Sequence, residues 1–408
     1  MRLALINNFY PPFVVGGAEL FTSNLAEALS SRGHEVAVVT TCAPDNQQRQ
    51  EKLNGVDVFR FFPKNIWWNF ERFKEGNNHS VSKKLLWNMI DLWNRNAGRH
   101  LRTYLQQLRP DVIHTNNIKG FSPIIWHEAR RLSIPIIHTA HDYQMLCWRG
   151  TMVCNSNSSN CWGCSTYSTW YKWHSRAIDL FCSPSEFLMQ RHCGLGLRPK
   201  ATAVIRNGVP GTVPLGRIDG PDVSSTPLKL LYLGQLTHDK GIAVLLEALR
   251  AIPDVPLDMY IAGRGKMETL VREAALADRR IQFHGFVEGS RKRDLIAQSE
   301  MLVVPSTWPE NAPLTVAEGL SNGLGVVASQ IGALPELIHH ESNGLIVPPN
   351  DPAALAQAIG RLAASPSEVA RMRHEALSSS SDLSFDGMVD RYVAAYANLT
   401  GSKGRIAP

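Results

Sequence analysis

Residues 300–329 read EMLVVPSTWPENAPLTVAEGLSNGLGVVAS and contain a complete strand, loop, helix and strand pattern. The run EMLVVPS is short, apolar and rich in β-branched residues, and it ends in Pro305 and Ser306, which predicts a buried parallel strand. Pro313 suits the first position of the next helix, so Leu314 and Thr315 would offer backbone N–H groups without helical partners. The stretch therefore predicts an α/β sheet with a loop at the strand's carboxyl end.

Beyond the predicted strand, this stretch contains few charged residues. After Glu310, its only charged side chain is Glu318, about one turn into the predicted helix. A solvated loop glutamate and a helix-dipole glutamate would explain either residue alone. However, a charge in so apolar a segment needs a partner, and ligands of open α/β sheets bind at the carboxyl ends of strands. We therefore predict a ligand site at Glu310 and Glu318.

Strand-like runs alternate with helical patterns along most of the chain. LALINN, a helix from about Gly17 to Ser31, and HEVAVVT form a first βαβ unit. A long helical pattern from about Val81 to Leu108 predicts a crossover. The further strand-like runs are DVFRFF, DVIHTNN, IPIIHTAHD, AIDLFCSPS and TAVIRNG, then LKLLYLGQL, LDMYIAG, IQFHGF, EMLVVPS, GVVAS and GLIVPP. The predicted fold class is α/β, with two Rossmann-like doubly wound parallel-sheet domains facing across a cleft.

The domain limits follow from composition. Residues 210–227, PGTVPLGRIDGPDVSSTP, are rich in Pro, Gly and Ser and predict a linker. The predicted domains are residues 1–209 and 228–382, and residues 383–408 would form a final helix that packs back on the first domain. A length of 408 residues, with 44% hydrophobic and 19% charged residues, agrees with two globular domains.

The net charge and the N-terminal sequence limit which partners and which location we expect. The net charge of +6 favours anionic partners such as nucleotides or acidic lipid surfaces, and we expect no nucleic acid. The sequence has no run of membrane-spanning length and no signal-peptide h-region after Met1. We therefore expect a cytoplasmic protein, with peripheral contact at the inner face of the membrane as an extension of that expectation.

Three further positions lie where ligands of such folds bind. Gly16 and Gly17 open the first helix, where N–H groups can hold a phosphate, although a tight turn explains the glycines equally well. Lys240 lies near a helix N-terminus in GQLTHDKG, where an anion nearby or a solvated surface position would account for it. His141 ends the strand IPIIHTA, where a structural hydrogen bond is the alternative to a functional role. The third glycine of a G-x-G-x-x-G fingerprint is absent, which argues against an NAD enzyme.

Taken together, these positions resemble the retaining glycosyltransferases of family four, enzymes with two Rossmann-like domains in the GT-B arrangement. The resemblance spans nearly the whole chain. It rests on GGAE with the following RGHEV, HTAHDY, SPSEF, GQLTHDKG, Glu310-x7-Glu318 after VVPS, GALPELI and NGLIVPP.

The resemblance implies a nucleoside-diphosphate sugar donor and a role for each residue. Glu310 would contact the donor sugar hydroxyls and Glu318 the nucleotide ribose. Lys240 would neutralise the leaving diphosphate, and His141 would face the transferred sugar near its reacting carbon. The implied donor-binding set also contains Gly16 and Gly17, which would close over the diphosphate from the first domain, with Gln235, Phe286, Asn311, Ala312, Leu314 and Thr315.

Three residues depart from the family pattern. Gln235 stands where arginine is frequent, so Lys240 would carry more of the diphosphate charge. Gly319 and Gly325 stand where alanine and proline are usual, which would loosen the helix and the next turn. No D-x-D occurs in the sequence, so we expect transfer without a metal ion.

Two segments of the first domain have open interpretations. Cys147, Cys154, Cys161 and Cys164 fall within eighteen residues and predict either a structural zinc site or thiols of a reducing compartment. The segment IWWNFERFK, residues 66–74, mixes aromatic and basic residues. A membrane-interface contact at Trp67 and Trp68, an acceptor-loop surface and partly buried aromatic residues are alternative explanations.

The expected function is transfer of a hexose, with retention, from a nucleotide sugar to a glycan or lipid-linked acceptor in surface or extracellular polysaccharide biosynthesis. A GT-B sugar-nucleotide epimerase is one alternative, and it would turn over its donor without an acceptor. A non-catalytic nucleotide-sugar-binding protein is the other, and it would bind donor without turnover.

Overall fold

The computed structural model describes residues 1–45, 49–73, 79–148, 150, 152, 162–209 and 227–401. The chain divides into two compact units. Unit 1 comprises Met1–Ile205 together with the chain from Val389 onward, and unit 2 comprises Arg206–Met388. The predicted linker lies outside the described residues except for Pro227.

Unit 1 is built on an eight-stranded sheet in the order β3-β4-β2-β1-β5-β6-β7-β8, in which all pairs are parallel except β3 with β4. The strands are β1 (Arg2–Ile6), β2 (Glu35–Thr41), β3 (Arg49–Leu53), β4 (Val56–Phe61), β5 (Val112–Thr115), β6 (Ile136–Thr139), β7 (Leu180–Ser183) and β8 (Ala201–Val204). The helices are α1 (Gly17–Ser31), α2 (Val81–Leu92), α3 (Arg95–Leu108), α4 (Ile124–Arg131), α5 (Trp162–His174), α6 (Glu186–Gly194) and α14 (Phe385–Gly401), which begins in unit 2.

Unit 2 contains a fully parallel six-stranded sheet in the order β11-β10-β9-β12-β13-β14. The strands are β9 (Leu228–Leu233), β10 (Leu257–Ala262), β11 (Ile281–Gly285), β12 (Met301–Val304), β13 (Gly325–Ser329) and β14 (Gly344–Val347). The helices are α7 (Ile242–Ala251), α8 (Glu268–Ala277), α9 (Gly289–Ala297), α10 (Leu314–Ser321), α11 (Leu334–Leu337), α12 (Pro352–Ala364) and α13 (Pro366–Ser379).

Both faces of the unit 2 sheet are buried. Leu230 and Tyr232 of β9 pack into one apolar cluster, whereas Leu231 packs into a second cluster on the opposite face. Val303 and Leu302 of β12 divide between the same two clusters. Because successive side chains of a strand point to opposite faces, a continuous apolar run fits only a sheet covered by helices on both sides. The predicted fold class, two doubly wound parallel α/β sheets, is confirmed.

One predicted element is divided in the structure. The helical pattern from Val81 to Leu108 forms two helices, α2 and α3, with Trp93 and Asn94 between them. The Asn94 side chain accepts hydrogen bonds from the N–H groups of Asn96 and Ala97 at 3.1 and 3.0 Å, which caps α3. Asparagine at this position starts a new helix because its side chain satisfies N–H groups that lack helical partners.

Candidate functional site

The unit 2 sheet reverses its strand order between β9 and β12. These two strands pair directly, Leu230 beside Met301 and Leu231 beside Leu302, although β10 and β11 lie between them in sequence. The loops that leave their carboxyl ends therefore run apart on opposite faces and open a crevice at the sheet edge. Lys240 follows β9 and Glu310 follows β12, so both residues lie at this switch point.

Lys240 and Glu310 form an ion pair there. The Lys240 ammonium nitrogen Nζ lies 2.7 and 2.9 Å from the two carboxylate oxygens of Glu310, and the Ser306 hydroxyl donates to Glu310 Oε1 at 2.6 Å. The Glu310 side chain is 7% exposed, whereas that of Lys240 is 28% exposed. The carboxylate is thus fixed from two directions, while the ammonium group stays open to solvent.

Two glycines allow this close packing. Gly241 has φ +70°, and a Cβ there would lie 1.7 Å from the Pro305 carbonyl oxygen. Gly332 has φ +63°, and a Cβ there would lie 2.4 Å from both the backbone N and O of Glu310. The next residue, Ala333, donates its N–H to Glu310 O at 2.8 Å. Only glycine combines these dihedrals with such contacts, so the backbone around Glu310 is fixed by its neighbours.

Glu318 has a separate cationic partner. Its Oε1 atom lies 2.6 Å from Lys292 Nζ, with Lys292 on α9 and Glu318 on α10. The sequence analysis predicted that Glu318 needs a partner but did not find Lys292, which lies 26 positions earlier in the basic run SRKRD. That run has no property that singles out one of its three basic residues, so only the tertiary structure identifies Lys292.

The remaining predicted donor-binding residues of unit 2 lie at or near strand ends. Helix α10 begins at Leu314, one residue later than predicted, with Pro313 as its N-cap, and Leu314 and Thr315 form its first turn. Asn311 is buried and Ala312 is half-buried.

Gln235 follows β9, and its carbonyl oxygen accepts from the Tyr232 hydroxyl at 2.7 Å. Phe286 follows β11 and is 53% exposed, and the Arg264 guanidinium carbon lies 4.5 Å from the centroid of its ring.

Gly319 and Gly325 occupy tightly packed positions. A Cβ at Gly319 would lie 3.0 Å from Leu302 Cδ2, and one at Gly325 would lie 2.6 Å from Met301 Sδ. Both neighbours belong to β12, the strand that leads to Glu310. These two departures from the family pattern thus coincide with close side-chain packing against that strand.

In unit 1, Gly16 is the N-cap of α1, which starts at Gly17 as predicted. The Glu19 carboxylate oxygen Oε2 accepts from the N–H of Gly16 at 2.7 Å and of Val15 at 3.3 Å. Burial, partly offset by these hydrogen bonds, raises the pKa of Glu19. Gly16 has an extended φ of −163°, and a Cβ there would have Glu19 Oε2 at 4.0 Å as its nearest neighbour. The backbone of unit 1 therefore does not require glycine at this position.

His141 follows β6 and is held by an asparagine. The Asn116 amide oxygen Oδ1 accepts from His141 Nε2 at 2.9 Å, and the Phe21 ring lies 4.7 Å from the imidazole, centroid to centroid. Desolvation lowers the pKa of His141 to about 4, so the ring is neutral at pH 7. Asn116 was not identified from the sequence. A small cavity here is lined by Asn116, Asn117, His138, Ala140, His141, Asp142, Gln144 and Met145.

Two of the four clustered cysteines are described by the structure. Cys147 and Cys164 place their sulfur atoms 3.4 Å apart, whereas Cys154 and Cys161 lie outside the described residues. Two thiolates bound to one tetrahedral zinc at about 2.3 Å would lie roughly 3.8 Å apart, so this spacing is compatible with shared ligation. Within the described ranges, no group of three or more His, Cys, Asp or Glu side chains is arranged to hold a metal ion.

The membrane interpretation of Trp67 and Trp68 is wrong for these two side chains, which are only 8% and 3% exposed. Trp68 packs edge-on against Phe9 and Phe13, and its indole N–H donates to Thr41 Oγ1 at 2.8 Å. The alternative of buried aromatic residues is correct for them. Lys74 lies outside the described residues. Among the helices that the structure describes, none is long and apolar enough to cross a bilayer.

Comparisons with known proteins find related sequences over most of the chain. Residues 15–210 match the family described as Glycosyltransferase Family 4, and residues 227–365 match Glycosyl transferases group 1. An uncharacterized 42.6 kDa protein in the cps region of Klebsiella pneumoniae is 26% identical over 346 residues, covering 83% of this chain and 87% of that protein. The putative colanic acid biosynthesis glycosyltransferase WcaL of Salmonella typhimurium is 29% identical over 227 residues, 53% of each chain.

Solved structures share the fold. Sucrose-phosphate synthase of Thermosynechococcus elongatus has a TM-score of 0.74 at 20% identity, covering 98% of this chain and 99% of that one. HepE of Anabaena, solved in complex with UDP-glucose, has a TM-score of 0.65 at 16% identity, covering 97% of this chain and 99% of that one. At these identities the likeness establishes the fold and leaves substrates open.

Proposed function

Because the chain belongs to the family 4 and group 1 glycosyltransferases, of GT-B type, we propose that it transfers a hexose from a nucleoside-diphosphate sugar to a glycan or lipid-linked acceptor. The proposed transfer retains the anomeric configuration. Its proposed setting is surface or extracellular polysaccharide biosynthesis, at the cytoplasmic side of the membrane with peripheral contact to anionic lipid. The colanic acid relative supports this setting, and the HepE complex supports a nucleotide-sugar donor.

The observation that carries the proposal is the Lys240–Glu310 pair at the unit 2 switch point. Loss of a nucleoside diphosphate from a sugar places negative charge on the departing phosphate and positive character on the anomeric carbon. Lys240 has three N–H donors and a solvent-accessible head, so it can contact both Glu310 and a phosphate. Glu310, fixed by Lys240 and Ser306, is positioned to accept hydrogen bonds from sugar hydroxyls.

Neighbouring residues of unit 2 fit the rest of a nucleotide. We assign the ribose to Glu318, whose Oε1 is held by Lys292. The N–H groups of Leu314 and Thr315, in the first turn of α10, lack acceptors within the helix and suit a phosphate or a sugar hydroxyl. The exposed ring of Phe286, backed by the Arg264 cation, offers a flat surface to a base. Asn311, Ala312 and Gln235 complete the proposed contacts.

Unit 1 contributes neutral groups in this proposal. The neutral imidazole of His141, oriented by Asn116, would hydrogen-bond the transferred sugar near its reacting carbon. Gly16 and Gly17 would let the diphosphate approach the backbone closely. Within the protein itself a Cβ at position 16 would fit, so a glycine there is consistent with contact to a ligand. Without a D-x-D motif, the proposed transfer proceeds without a divalent metal, and EDTA should leave its rate unchanged.

The experiment compares two buried glutamates that flank the same strand. Glu310 follows β12 at its carboxyl end, whereas Glu300 precedes it and accepts from the N–H of Lys229 at 3.0 Å. Both are 5% exposed. Wild type, Glu310→Gln and Glu300→Gln are assayed against a panel of nucleotide sugars selected by thermal shift, since ligand binding raises the melting temperature. We expect Glu310→Gln to lower kcat about 100-fold, because it loses a charge-dependent contact to the distorted sugar, while Glu300→Gln retains wild-type kcat.

The products separate the alternatives. NMR of the isolated glycoside reports whether the anomeric configuration is retained. Donor turnover that is independent of acceptor would instead indicate an epimerase or hydrolase. Donor binding without turnover for any acceptor would indicate a nucleotide-sugar-binding protein. An equal loss of kcat in Glu310→Gln and Glu300→Gln would indicate that Glu310 has only a structural role.

A further inference from the structure

Helix α2 is attached to unit 1 along a single narrow stripe. Its buried residues are Trp87 and Asp91, one turn apart. The Trp87 indole N–H donates to the Trp67 carbonyl oxygen at 2.9 Å, and Asp91 Oδ1 accepts from the Gly120 N–H at 2.7 Å. These two bonds fix which side of α2 faces the protein.

The opposite side of α2 is apolar and exposed. Val81, Leu85 and Met89 repeat every four residues and are 81%, 57% and 53% exposed, and Leu86 is 46% exposed. At about 100° per residue, this row is centred on the side opposite Trp87 and Asp91. A surface helix ordinarily presents polar residues to water. Four of the thirteen large hydrophobic side chains that are exposed among the described residues lie on this one helix, so the face is concentrated rather than scattered.

Helix α5 extends the same surface. The Trp170 indole N–H donates to the carbonyl oxygen of Leu92, at the end of α2, at 2.8 Å. Trp170 and Trp173, three residues apart on α5, are 37% and 58% exposed. Tryptophan is enriched at the boundary between lipid and water because its ring is apolar and its N–H can be hydrated.

The charged side chains that α2 exposes are of one sign. Lys83 and Lys84 are exposed and lie on either side of the apolar row. The acidic residue of α2, Asp91, faces inward, and α5 contains no Asp or Glu. An apolar face flanked by lysines is the pattern of helices that lie in the headgroup region of anionic bilayers. Each basic residue near such a surface also gains attraction to acidic lipid.

We propose that α2, together with Trp170 and Trp173, is the surface by which this protein docks on an anionic lipid bilayer. This specifies the peripheral contact in the proposed function and replaces Trp67 and Trp68 as its location. Val81, Leu85, Leu86 and Met89 enter the headgroup boundary, and the lysines contact lipid phosphates.

The test is co-sedimentation with liposomes of phosphatidylcholine alone or mixed with phosphatidylglycerol. We expect wild type to bind the mixed vesicles, less strongly as salt increases, and to bind pure phosphatidylcholine at least tenfold more weakly. Leu85→Ser combined with Met89→Ser should lower the partition coefficient at least tenfold, since two apolar side chains no longer leave water. Lys83→Glu with Lys84→Glu should lower it on the mixed vesicles only.

Leu276→Ser is the matched control, because Leu276 is an 89% exposed leucine on α8 of unit 2. It should bind vesicles as wild type does. Absence of vesicle binding by wild type, or an equal loss in Leu276→Ser, would overturn the proposal. A change from dimer to monomer in the α2 variant, measured by sedimentation velocity, would identify the face as a contact between two copies and would also overturn it.

The docking test is separable from the test of catalysis. The α2 variants should transfer sugar to a water-soluble acceptor at the wild-type rate, and Glu310→Gln should bind vesicles normally. Failure of the transfer assay with intact vesicle binding would therefore count against the proposed reaction and leave the docking surface in place.

Discussion

The two units present different chemistry at the carboxyl ends of their sheets. In unit 2, the predicted site residues are charged and paired, Lys240 with Glu310 and Lys292 with Glu318. In unit 1, the corresponding region holds a neutral His141 bonded to Asn116. Fixed charges suit a diphosphate, whereas neutral hydrogen-bonding groups suit sugar hydroxyls. The same α/β scaffold thus carries two ion pairs in one unit and, in the other, a neutral histidine that shares its cavity with Asp142.

The largest expected effect is on the geometry of the charged pair. Gly332→Ala places a Cβ within 2.4 Å of the Glu310 backbone at a residue with φ +63°, so the Glu310 loop must move. A displacement of about 1 Å in a catalytic group can cost about 100-fold in rate, and we expect a loss of that order in kcat/KM. Initial rates and melting curves measure it.

The control for this variant is Gly360→Ala on α12, where a Cβ would meet nothing within 4 Å. Alanine is favoured over glycine within a helix, so this variant should be neutral or stabilised by up to about 1 kcal/mol. Wild-type activity in Gly332→Ala would mean that the position of Glu310 does not matter for transfer.

A second pair of variants separates the two partners assigned to Glu318, which are the donor ribose and Lys292. A carboxylate that binds the ribose contributes to donor affinity, so Glu318→Gln should raise the donor KM with little change in kcat. A charge-assisted hydrogen bond is worth about 1.5–3 kcal/mol, which corresponds to a KM increase of about 10- to 100-fold. Lys292→Met removes the protein partner alone and should raise the KM less. Equal effects in both variants would make the ion pair, rather than the ribose contact, the role of Glu318.

Much of this architecture is predictable from local sequence. The runs that became β9, β10, β12, β13 and β14 are largely apolar, because both faces of a doubly wound sheet are buried. Helix α1 begins and ends at the predicted residues. The loop position of Glu310 follows from the strand before it and from Pro313 after it. Those features depend on neighbours in sequence.

The errors concern long-range contacts. Nothing near Trp67 in sequence specifies that Trp87 will stack beside it, with ring centroids 6.0 Å apart, so burial of Trp67 and Trp68 was only one of three alternatives. Lys292 and Asn116 are likewise partners that only the fold brings to Glu318 and His141. The exposed face of α2 was missed because apolar residues in a helical pattern ordinarily indicate a core-facing side.

The buried histidines of unit 1 predict sensitivity to acid. Desolvation lowers the pKa of eight described histidines of unit 1. The largest shifts lower it to about 3 for His114, to about 4 for His141, His174 and His192, and well below the ordinary value for His138. The unfolded chain then binds more protons below about pH 6.5, so the free energy of unfolding falls between about pH 6.5 and 4. Asp91, Asp142 and Glu19 oppose this trend, because burial raises their pKa.

One histidine shifted to about pKa 4 contributes a loss of about 2 kcal/mol at pH 5, and we expect a net loss of at least that size in unit 1. Nine of the ten tryptophans precede residue 206 and the tenth is Trp308, so tryptophan fluorescence during urea unfolding reports mainly on unit 1. In unit 2, desolvation lowers the pKa of His284, which is less buried than the histidines at the centre of unit 1, so a probe on unit 2 should change less. Equal stability of unit 1 at pH 7.5 and pH 5 would contradict the prediction.

A smaller effect tests whether unit 1 contacts the donor. Gly16→Ala fits the free protein, because φ is extended and the added Cβ has no neighbour closer than 4.0 Å. If the diphosphate approaches this backbone, the methyl group should lower kcat/KM about tenfold, a change of about 1.4 kcal/mol, with an unchanged melting temperature. Gly194→Ala, also in open space in unit 1, is the control. Unchanged kinetics in Gly16→Ala would exclude a close contact there.

The smallest expected effect on transfer concerns the cysteines of unit 1, because a structural zinc would hold its ligands together without taking part in the proposed transfer. If Cys147, Cys154, Cys161 and Cys164 hold zinc, the purified protein should contain about one equivalent, and chelation should increase hydrogen exchange in residues 147–164. The 3.4 Å separation of the Cys147 and Cys164 sulfurs supports this pairing of ligands. Cys147→Ser and Cys164→Ser should each lose the metal, whereas Cys193→Ser on α6 should retain it. Metal-free protein with the stability of the zinc-loaded form would show that these cysteines are ordinary thiols, and donor kinetics should be the same in either case.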